Sequence, residues 1–326
     1  MELAIIGLGR MGMNMARRLL KFKHKVVVYN RTKEKIKEIA KQGALASYSL
    51  NELVKKLKKP AILWLMLPAG KVTDEYIEKS IYLLKKGDII IDGSNGYYKD
   101  DIRRFEELKK ERINYLDAGV SGGIWGLKNG YCTMVGGDNN IFKYVEPIIR
   151  DLAPNNGYMY CGGPGAGHFV KMIHNAIEYA LMEAYAEGFH ILKASRYGER
   201  LNLANIARMW NNGSVIRSWL LELLIDVFKD KNKLSQIKGY VEDSGETRWT
   251  VNEAIDNGIS ADTIAISLFK RFDSRQEDIF ANKIIAMLRN KFGGHLLLKN
   301  KQKIKINSLS AGRIKHASAE KNKNEQ

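Results

Sequence analysis

The sequence predicts an α/β domain, a doubly wound parallel sheet with helices on both faces, followed by an all-α domain. Three observations carry that expectation. Short apolar segments alternate with helical patterns through the first part of the chain, a glycine-rich turn follows the first segment directly, and beyond Gly167 the pattern is helical throughout. Strands alternating with helices pack as a parallel sheet covered on both sides, and such sheets bind ligands at the carboxyl ends of their strands.

Leu3–Ile6, Lys25–Tyr29, Ala61–Leu67, Asp88–Asp92 and Ile113–Ala118 are the apolar runs expected as strands. Tyr131–Val135 and Tyr158–Cys161, on either side of a helical segment Ile141–Asp151, complete a first domain over residues 1–166. His168 to Ala194 then reads as one long helix. Further helices are expected at Leu203–Trp210, Ser214–Phe228, Trp249–Asn257, Ala261–Phe272 and Asp278–Asn290, which makes 167–298 an all-helical domain. From Lys299 onward apolar density falls and Lys299, Lys301, Lys303, Lys305, Arg313 and Lys315 accumulate. Residues 299–326 are therefore expected to form a basic, mobile tail, with ordering against a partner subunit as the alternative.

The chain has 326 residues, 45% of them hydrophobic, enough for a sizeable core and for two domains. Cys132 and Cys161 have no metal-ligand spacing and form no disulfide framework, so no metal is expected and a reducing cytoplasm is the default. The N-terminus runs straight into an apolar strand with no basic region and cleavage site, so no signal peptide is expected. Ser218–Phe228, the most apolar later stretch, is interrupted by Glu222 and Asp226 and is shorter than the roughly 20 residues a bilayer requires, so it reads as a buried or subunit-interface helix. The net charge of +17 suits either a nucleic-acid partner or a lysine-rich protein with anionic ligands. The lysines are scattered along ordinary amphipathic segments and no basic-aromatic motif appears, which favours the second; neither nucleic acid nor membrane is an expected partner.

Gly7-Leu8-Gly9-Arg10-Met11-Gly12 stands between the first strand and the first helix, the context a Rossmann-type dinucleotide site requires. Gly7 is assigned the tight turn, Gly9 the close approach of a pyrophosphate, and Gly12 the close packing of a helix whose N-terminus supplies amide donors. At the end of the second strand, where a carboxylate would bind ribose hydroxyls, Asn30-Arg31-Thr32-Lys33 offers none. Arg31 can fork onto a 2′-phosphate and Lys33 adds charge, so NADP is favoured over NAD. Leu67-Pro68-Ala69-Gly70 and Asp92-Gly93-Ser94-Asn95 end later strands and are expected to border the nicotinamide, with Asn95 reading the carboxamide or the substrate.

Asp117-Ala118-Gly119-Val120-Ser121-Gly122-Gly123 ends another strand, and the Ser121 hydroxyl with the amides of Gly122 and Gly123 can cradle a substrate carboxylate. After the glycine-rich Gly162 to Gly167, Lys171, His174, Asn175 and Glu178 fall on one face of the long helix. Lysine and glutamate alone at this spacing would describe a solvated face. An imidazole and an amide in the same stripe describe the wall of an active site.

In this order the motifs resemble the β-hydroxyacid dehydrogenase superfamily. Within it, His174-Asn175-Ala176-Ile177-Glu178-Tyr179 is similar to a segment characteristic of the 6-phosphogluconate dehydrogenases, where Gly usually stands in place of Ala176; relatives that only oxidise a hydroxyl lack the glutamate. Ile216-Arg217-Ser218, Arg248-Trp249-Thr250 and the element from Arg289 to His295 extend the resemblance along almost the whole chain.

The resemblance implies oxidation of C3 of 6-phosphogluconate, loss of CO2 from the β-keto acid and release of ribulose 5-phosphate with NADPH, the reaction of a cytoplasmic enzyme of gluconate utilization and the oxidative pentose phosphate pathway. Lys171 would be the base and Glu178 the acid. The base must first be unprotonated, and a lysine at its ordinary pKa of about 10.4 is less than about one per cent neutral at pH 7. His174 and Asn175 would orient the substrate carboxylate and hydroxyls, and Tyr179 would contact the sugar phosphate. Arg271 would face that phosphate, joined by Arg289 and His295 from the neighbouring subunit.

Two departures stand out. Long family members carry Lys-Gly-Thr where this chain has Ser244-Gly245-Glu246, and Glu246 would repel a phosphate if it pointed inward. The chain also lacks the second helical repeat and resembles the short bacterial type, whose missing packing surface comes from another subunit. At least a homodimer with a shared active site is therefore expected, covering an apolar face of Val215, Trp219, Leu220, Leu223 and Leu224. Short relatives include NAD users, so NAD stays open as cofactor. Two other readings stay open as well: a non-decarboxylating dehydrogenase of the 3-hydroxyisobutyrate type, and a dinucleotide-binding or nucleic-acid-binding protein without turnover. Glu178, Arg271 and the Arg289–His295 element stand against the first, and an intact Lys171, Asn175 and Glu178 against the second.

Overall fold

The computed structural model describes residues 1–293 with Leu296 and Leu297. The tail expected over 299–326 lies outside the described residues. Two compact units form: residues 1–179 with 243–265, and residues 180–242 with those from 266 onward.

The first unit is built on β1 (Glu2–Ile6), β2 (Lys25–Tyr29), β3 (Leu45–Ala46), β4 (Ile62–Leu65), β5 (Ile89–Asp92), β6 (Asn114–Ser121), β7 (Cys132–Gly137) and β8 (Tyr158–Gly162), in the order β3-β2-β1-β4-β5-β6-β7-β8. Every neighbouring pair is parallel except β6 with β7, a departure from the fully parallel sheet expected. Between the strands run α1 (Arg10–Lys21), α2 (Lys33–Ala40), α3 (Leu50–Lys55), α4 (Lys71–Ile81), α5 (Tyr98–Lys110), α6 (Gly126–Asn129) and α7 (Asn139–Leu152).

Period-two alternation divides the core between the two faces of the sheet. Leu3, Ile5, Val26, Val28, Trp64, Ile89 and Ile91 enter one apolar cluster, and Ala4, Ile6, Val27, Leu63, Leu65 and Ile90 enter the other. Each fully buried Ile or Leu in such a strand contributes roughly 1.5–3 kcal/mol. Both faces therefore require helical cover, which makes the sheet doubly wound and leaves the strand ends as its open edges.

The remaining helices are α8 (Ala166–Ala194), α9 (Leu203–Trp210), α10 (Trp219–Lys229), α11 (Lys231–Gln236), α12 (Glu246–Asp256), α13 (Asp262–Asp273) and α14 (Phe280–Gly293). The helix expected from Ser214 begins only at Trp219. Asn211 Oδ1 accepts from the Ser218 N–H at 2.9 Å, and Ser218 Oγ accepts from the Leu221 N–H at 3.0 Å, so Ser218 serves as N-cap. α12 begins at Glu246, ahead of the expected Trp249, because Gly245 at φ 103° starts it. The strand expected to reach Leu67 stops at Leu65.

α12 belongs to the first unit. Its Trp249 stacks on Tyr97 at 5.0 Å, its Glu253 accepts from the Tyr98 hydroxyl at 2.6 Å, and its Thr250 hydroxyl donates to the Met172 carbonyl of α8 at 3.3 Å. The second unit has a much smaller core of Phe189, Ala207 and Leu221, with Trp210, Leu224 and Phe228 among the partly buried side chains around them. Among the described residues no helix is long and apolar enough to cross a membrane.

Candidate active site

The strand order turns outward from β1 to β4, and the loops after these two strands meet at that crevice. Gly7 has φ 98°, and a Cβ there would lie 2.3 Å from the Met66 carbonyl oxygen, so only glycine makes this turn. At Gly12 a Cβ would fall 2.1 Å from the Gly7 carbonyl oxygen, whereas the space above Gly9 is open. Leu8 is buried, Met11 packs partly buried on the core, and Gly9 and Arg10 are exposed. α1 has neither a side-chain cap nor an acidic residue in its first turn, so its leading amides are available to an anion. The loop therefore fits a dinucleotide pyrophosphate.

Asn30 holds this loop: its Oδ1 accepts from the Leu8 N–H at 2.9 Å and its Nδ2 donates to the Thr32 carbonyl at 3.2 Å. Arg31 and Thr32 are exposed. Arg31 lines a cleft of about 510 Å³ with Gly7, Tyr29, Leu67 and Pro68, while α4 contributes Glu75, Tyr76 and Lys79. Burial raises the Tyr76 phenol, with Arg31 acting against it. Arg31 and Lys79 thus share the wall with one carboxylate, Glu75, and Ala69 is exposed in the turn beyond Pro68.

Asn95 sits at φ 56° after β5, donates from Nδ2 to the Val120 carbonyl at 3.1 Å and accepts from the Val120 N–H at 2.9 Å. It clips the end of β5 to the end of β6, leaving its second amide hydrogen for a ligand. Ser121 ends β6 half-buried, followed by Gly122 at φ 133° and the exposed Gly123 at φ 51°.

α8 is anchored to β6 through Asp117, whose carboxylate accepts from the Gly165 N–H at 2.7 Å and the His168 N–H at 2.8 Å. Two residues on, Gly119 makes room for Lys171: a Cβ there would come within 2.4 Å of the Lys171 Cβ. Neither role was expected from the sequence. A glycine two residues after an aspartate at a strand end was the only local sign of it.

Lys171 is 5% exposed, and its ammonium donates to Asn175 Oδ1. His174 Nδ1 lies 3.0 Å from the same oxygen and 3.8 Å from Glu178 Oε2. Burial pulls the Lys171 amine below the ordinary lysine range, against the charges of Glu178, Glu246 and Cys132. Glu178 is partly exposed, so the stripe has a buried amine at one end and an accessible carboxylate at the other. Glu246 faces inward, accepting from Asn175 Nδ2 at 2.9 Å and from the Ser244 hydroxyl. The Tyr179 hydroxyl accepts from the Ser244 N–H at 3.1 Å and lies 3.2 Å from Ser244 Oγ.

Beneath the site, Asp92, Asp101 and His168 bring ligand atoms within 4.8 Å of one another, a spacing that would suit a cation. Arg104 already fills that role, with its guanidinium 3.0 Å from Asp92 and 3.5 Å from Asp101, while the Tyr115 hydroxyl lies 2.7 Å from Asp101 and 3.0 Å from Asp92 and shares its one proton between them. His168 Nδ1 lies 2.7 Å from Asp101.

Arg271, on α13, donates to the Glu242 carbonyl at 2.7 Å, and Arg289 is exposed on α14; both belong to the second unit. His295 lies outside the described residues.

Residues 2–162 match the NAD-binding domain of 6-phosphogluconate dehydrogenase, and residues 167–309 match the C-terminal domain of the same enzyme. YqeC of Bacillus subtilis, whose name assigns it provisionally to 6-phosphogluconate dehydrogenase, is 45% identical over 90% of this chain and 98% of its own length. The NAD(+)-dependent, decarboxylating 6-phosphogluconate dehydrogenase of Haloferax volcanii is 38% identical over 90% of this chain and 98% of its own. The solved 6-phosphogluconate dehydrogenase of Plasmodium falciparum superposes with a TM-score of 0.78 at 29% identity, covering 93% of this chain and 67% of that one. The chain thus spans nearly all of two short relatives and about two thirds of the long one, and it belongs to the 6-phosphogluconate dehydrogenase family.

Proposed function

We propose that the protein oxidatively decarboxylates 6-phosphogluconate to ribulose 5-phosphate and CO2, in the cytoplasm, as the pentose-forming step of gluconate utilization. The observation that carries this reading is the buried Lys171, hydrogen-bonded to Asn175, with Glu178 on the same face of α8. Burial shifts the Lys171 amine downward from the ordinary lysine range, the direction the first step needs. The nicotinamide, when bound, supplies the hydride acceptor. Lys171 takes the proton of the C3 hydroxyl as hydride departs, and the resulting ammonium polarises the C3 ketone while CO2 is lost. Glu178 then protonates C1 of the enediol. His174 and Asn175 orient the substrate, with Ser121, Gly122 and Gly123 against its carboxylate.

By the family resemblance Arg271 takes the phosphate, joined by Arg289 and His295 of the neighbouring subunit, and the inward carboxylate of Glu246 would repel a phosphate at the Ser244–Glu246 element. Residues 167–298 serve substrate binding and dimerisation. Glycines 7, 9 and 12 hold the dinucleotide, and Arg31 with Lys79 on the cleft wall supports NADP. NAD is the second reading, favoured by Glu75 on that wall and by the NAD(+)-dependent Haloferax relative.

A substrate panel tests the assignment. Purified protein should reduce its cofactor with 6-phosphogluconate, and much more slowly with gluconate or 3-hydroxyisobutyrate. Preferred turnover of 3-hydroxyisobutyrate would replace this reading with the non-decarboxylating one.

A further inference from the structure

A glutamate at the first position of a helix ordinarily faces solvent near the positive end of the helix dipole. Glu246 opens α12 but is only 6% exposed. Its Oε1 accepts from Asn175 Nδ2 at 2.9 Å, its Oε2 accepts from the Ser244 hydroxyl, and Asn175 Oδ1 in turn accepts from Lys171. Ammonium, amide and carboxylate form one chain with a fixed sense. Flipping the amide would set its NH2 against the ammonium and its carbonyl against the carboxylate, and both contacts are repulsive. Attachments on either side hold Glu246 in place: Tyr179 receives the Ser244 N–H, and Thr250 bonds the Met172 carbonyl of α8.

Resting on the reading of Lys171 as the base, we infer that Glu246 is a positioning residue of the reaction, which acts through Asn175 to orient the amide toward Lys171 and to govern when that amine holds a proton. The reaction asks two things of the lysine, a neutral amine at oxidation and an ammonium at decarboxylation. Burial alone favours only the first. The charged and titratable groups around Lys171 are Glu178 and His174 from its own helix, Glu246 from α12 and Cys132 from β7; Glu178, Glu246 and Cys132 favour the ammonium, and His174 shares the Asn175 Oδ1 acceptor at 3.0 Å. Gly119 of β6 packs on the lysine stem and brings no charge. Glu246 differs from Glu178 and Cys132 in being linked to Lys171 by a half-buried hydrogen-bonded amide, so its influence is fixed in geometry as well as in charge.

Glu246→Gln removes the charge and keeps the volume, with its carbonyl still able to accept from Asn175 Nδ2 while its NH2 can only donate to Ser244 Oγ. Two titrations on the full chain read the effect: carbamylation of Lys171 by cyanate against pH, followed by peptide mass spectrometry, and the pH profile of kcat/KM with 6-phosphogluconate. The expected result is a downward shift of both the Lys171 midpoint and the acid limb, on the order of one pH unit, with Glu246→Asp restoring most of it. An unmoved carbamylation midpoint in Glu246→Gln overturns the inference. Carbamylation needs no turnover, so a shifted midpoint in a protein that ignores 6-phosphogluconate would sink the assigned reaction and leave the coupling of Glu246 to Lys171 intact. If Glu246→Gln does not fold, Asn175→Ser cuts the same chain at its middle; a downward shift supports the inference and none contradicts it.

Discussion

At the scale of the residue, the chemistry assigned to Lys171 depends on its burial and on the amide it donates to. Lys171→Met should lower turnover by about 10²–10⁴-fold, the range for losing a general base, while the dissociation constant for the dinucleotide stays unchanged. Loss of cofactor binding in the same variant would show that Lys171 is a structural residue. Arg31→Ala should weaken NADP by about 10–100-fold, the worth of a charge-assisted hydrogen bond, with little effect on NAD. Equal losses for the two cofactors would remove its assigned role. Lys171, His174, Asn175 and Glu178 were legible in the sequence because helical period alone places them on one face. The inward turn of Glu246 was not, since it meets Asn175 across 71 residues of chain and only the packing of α12 on α8 brings them together. Asn95 was legible as a strand-end residue, but its clip on Val120 depends on the register of β5 against β6.

At the scale of the element, α8 is positioned by buried charge. Asp117 caps its first amides, and burial raises that carboxyl to about 6. For His168 burial acts downward, yet the attraction of Asp101, Asp92 and Asp117 outweighs it and the imidazole rises to about 9. A group raised on folding stabilises below its unfolded pKa and loses that contribution as pH climbs through its folded value. The contribution of His168 is therefore complete below about 6.5 and fades toward about 9. The melting temperature should fall between those two pH values, and His168→Gln should melt lower at pH 6.5 while showing a flatter slope. A slope in the variant as steep as in the wild type would exclude His168 as its source. Longer elements were legible from apolar alternation. β3, with two residues, and α11, with six, are too short to carry a period, and the start of α10 is decided by the Ser218 cap within an apolar run.

At the scale of the molecule, the two units are unequally provided with core. The sheet buries apolar side chains on both faces, whereas the second unit centres on Phe189, Ala207 and Leu221 and leaves Val215 at 99% and Trp219 at 44% exposure. A monomer with such a surface is expected to pair. Val215→Lys with Trp219→Glu should yield a monomer by sedimentation, with KM for 6-phosphogluconate raised about tenfold or more and cofactor affinity retained. A fully active monomer would contradict the shared site. The central claim, that this chain couples hydride transfer to decarboxylation, is tested most directly with 6-phosphogluconate carrying ¹⁴C at C1. One labelled CO2 should be released for each cofactor reduced, and cofactor reduction with the label retained in an acid product would rule out decarboxylation.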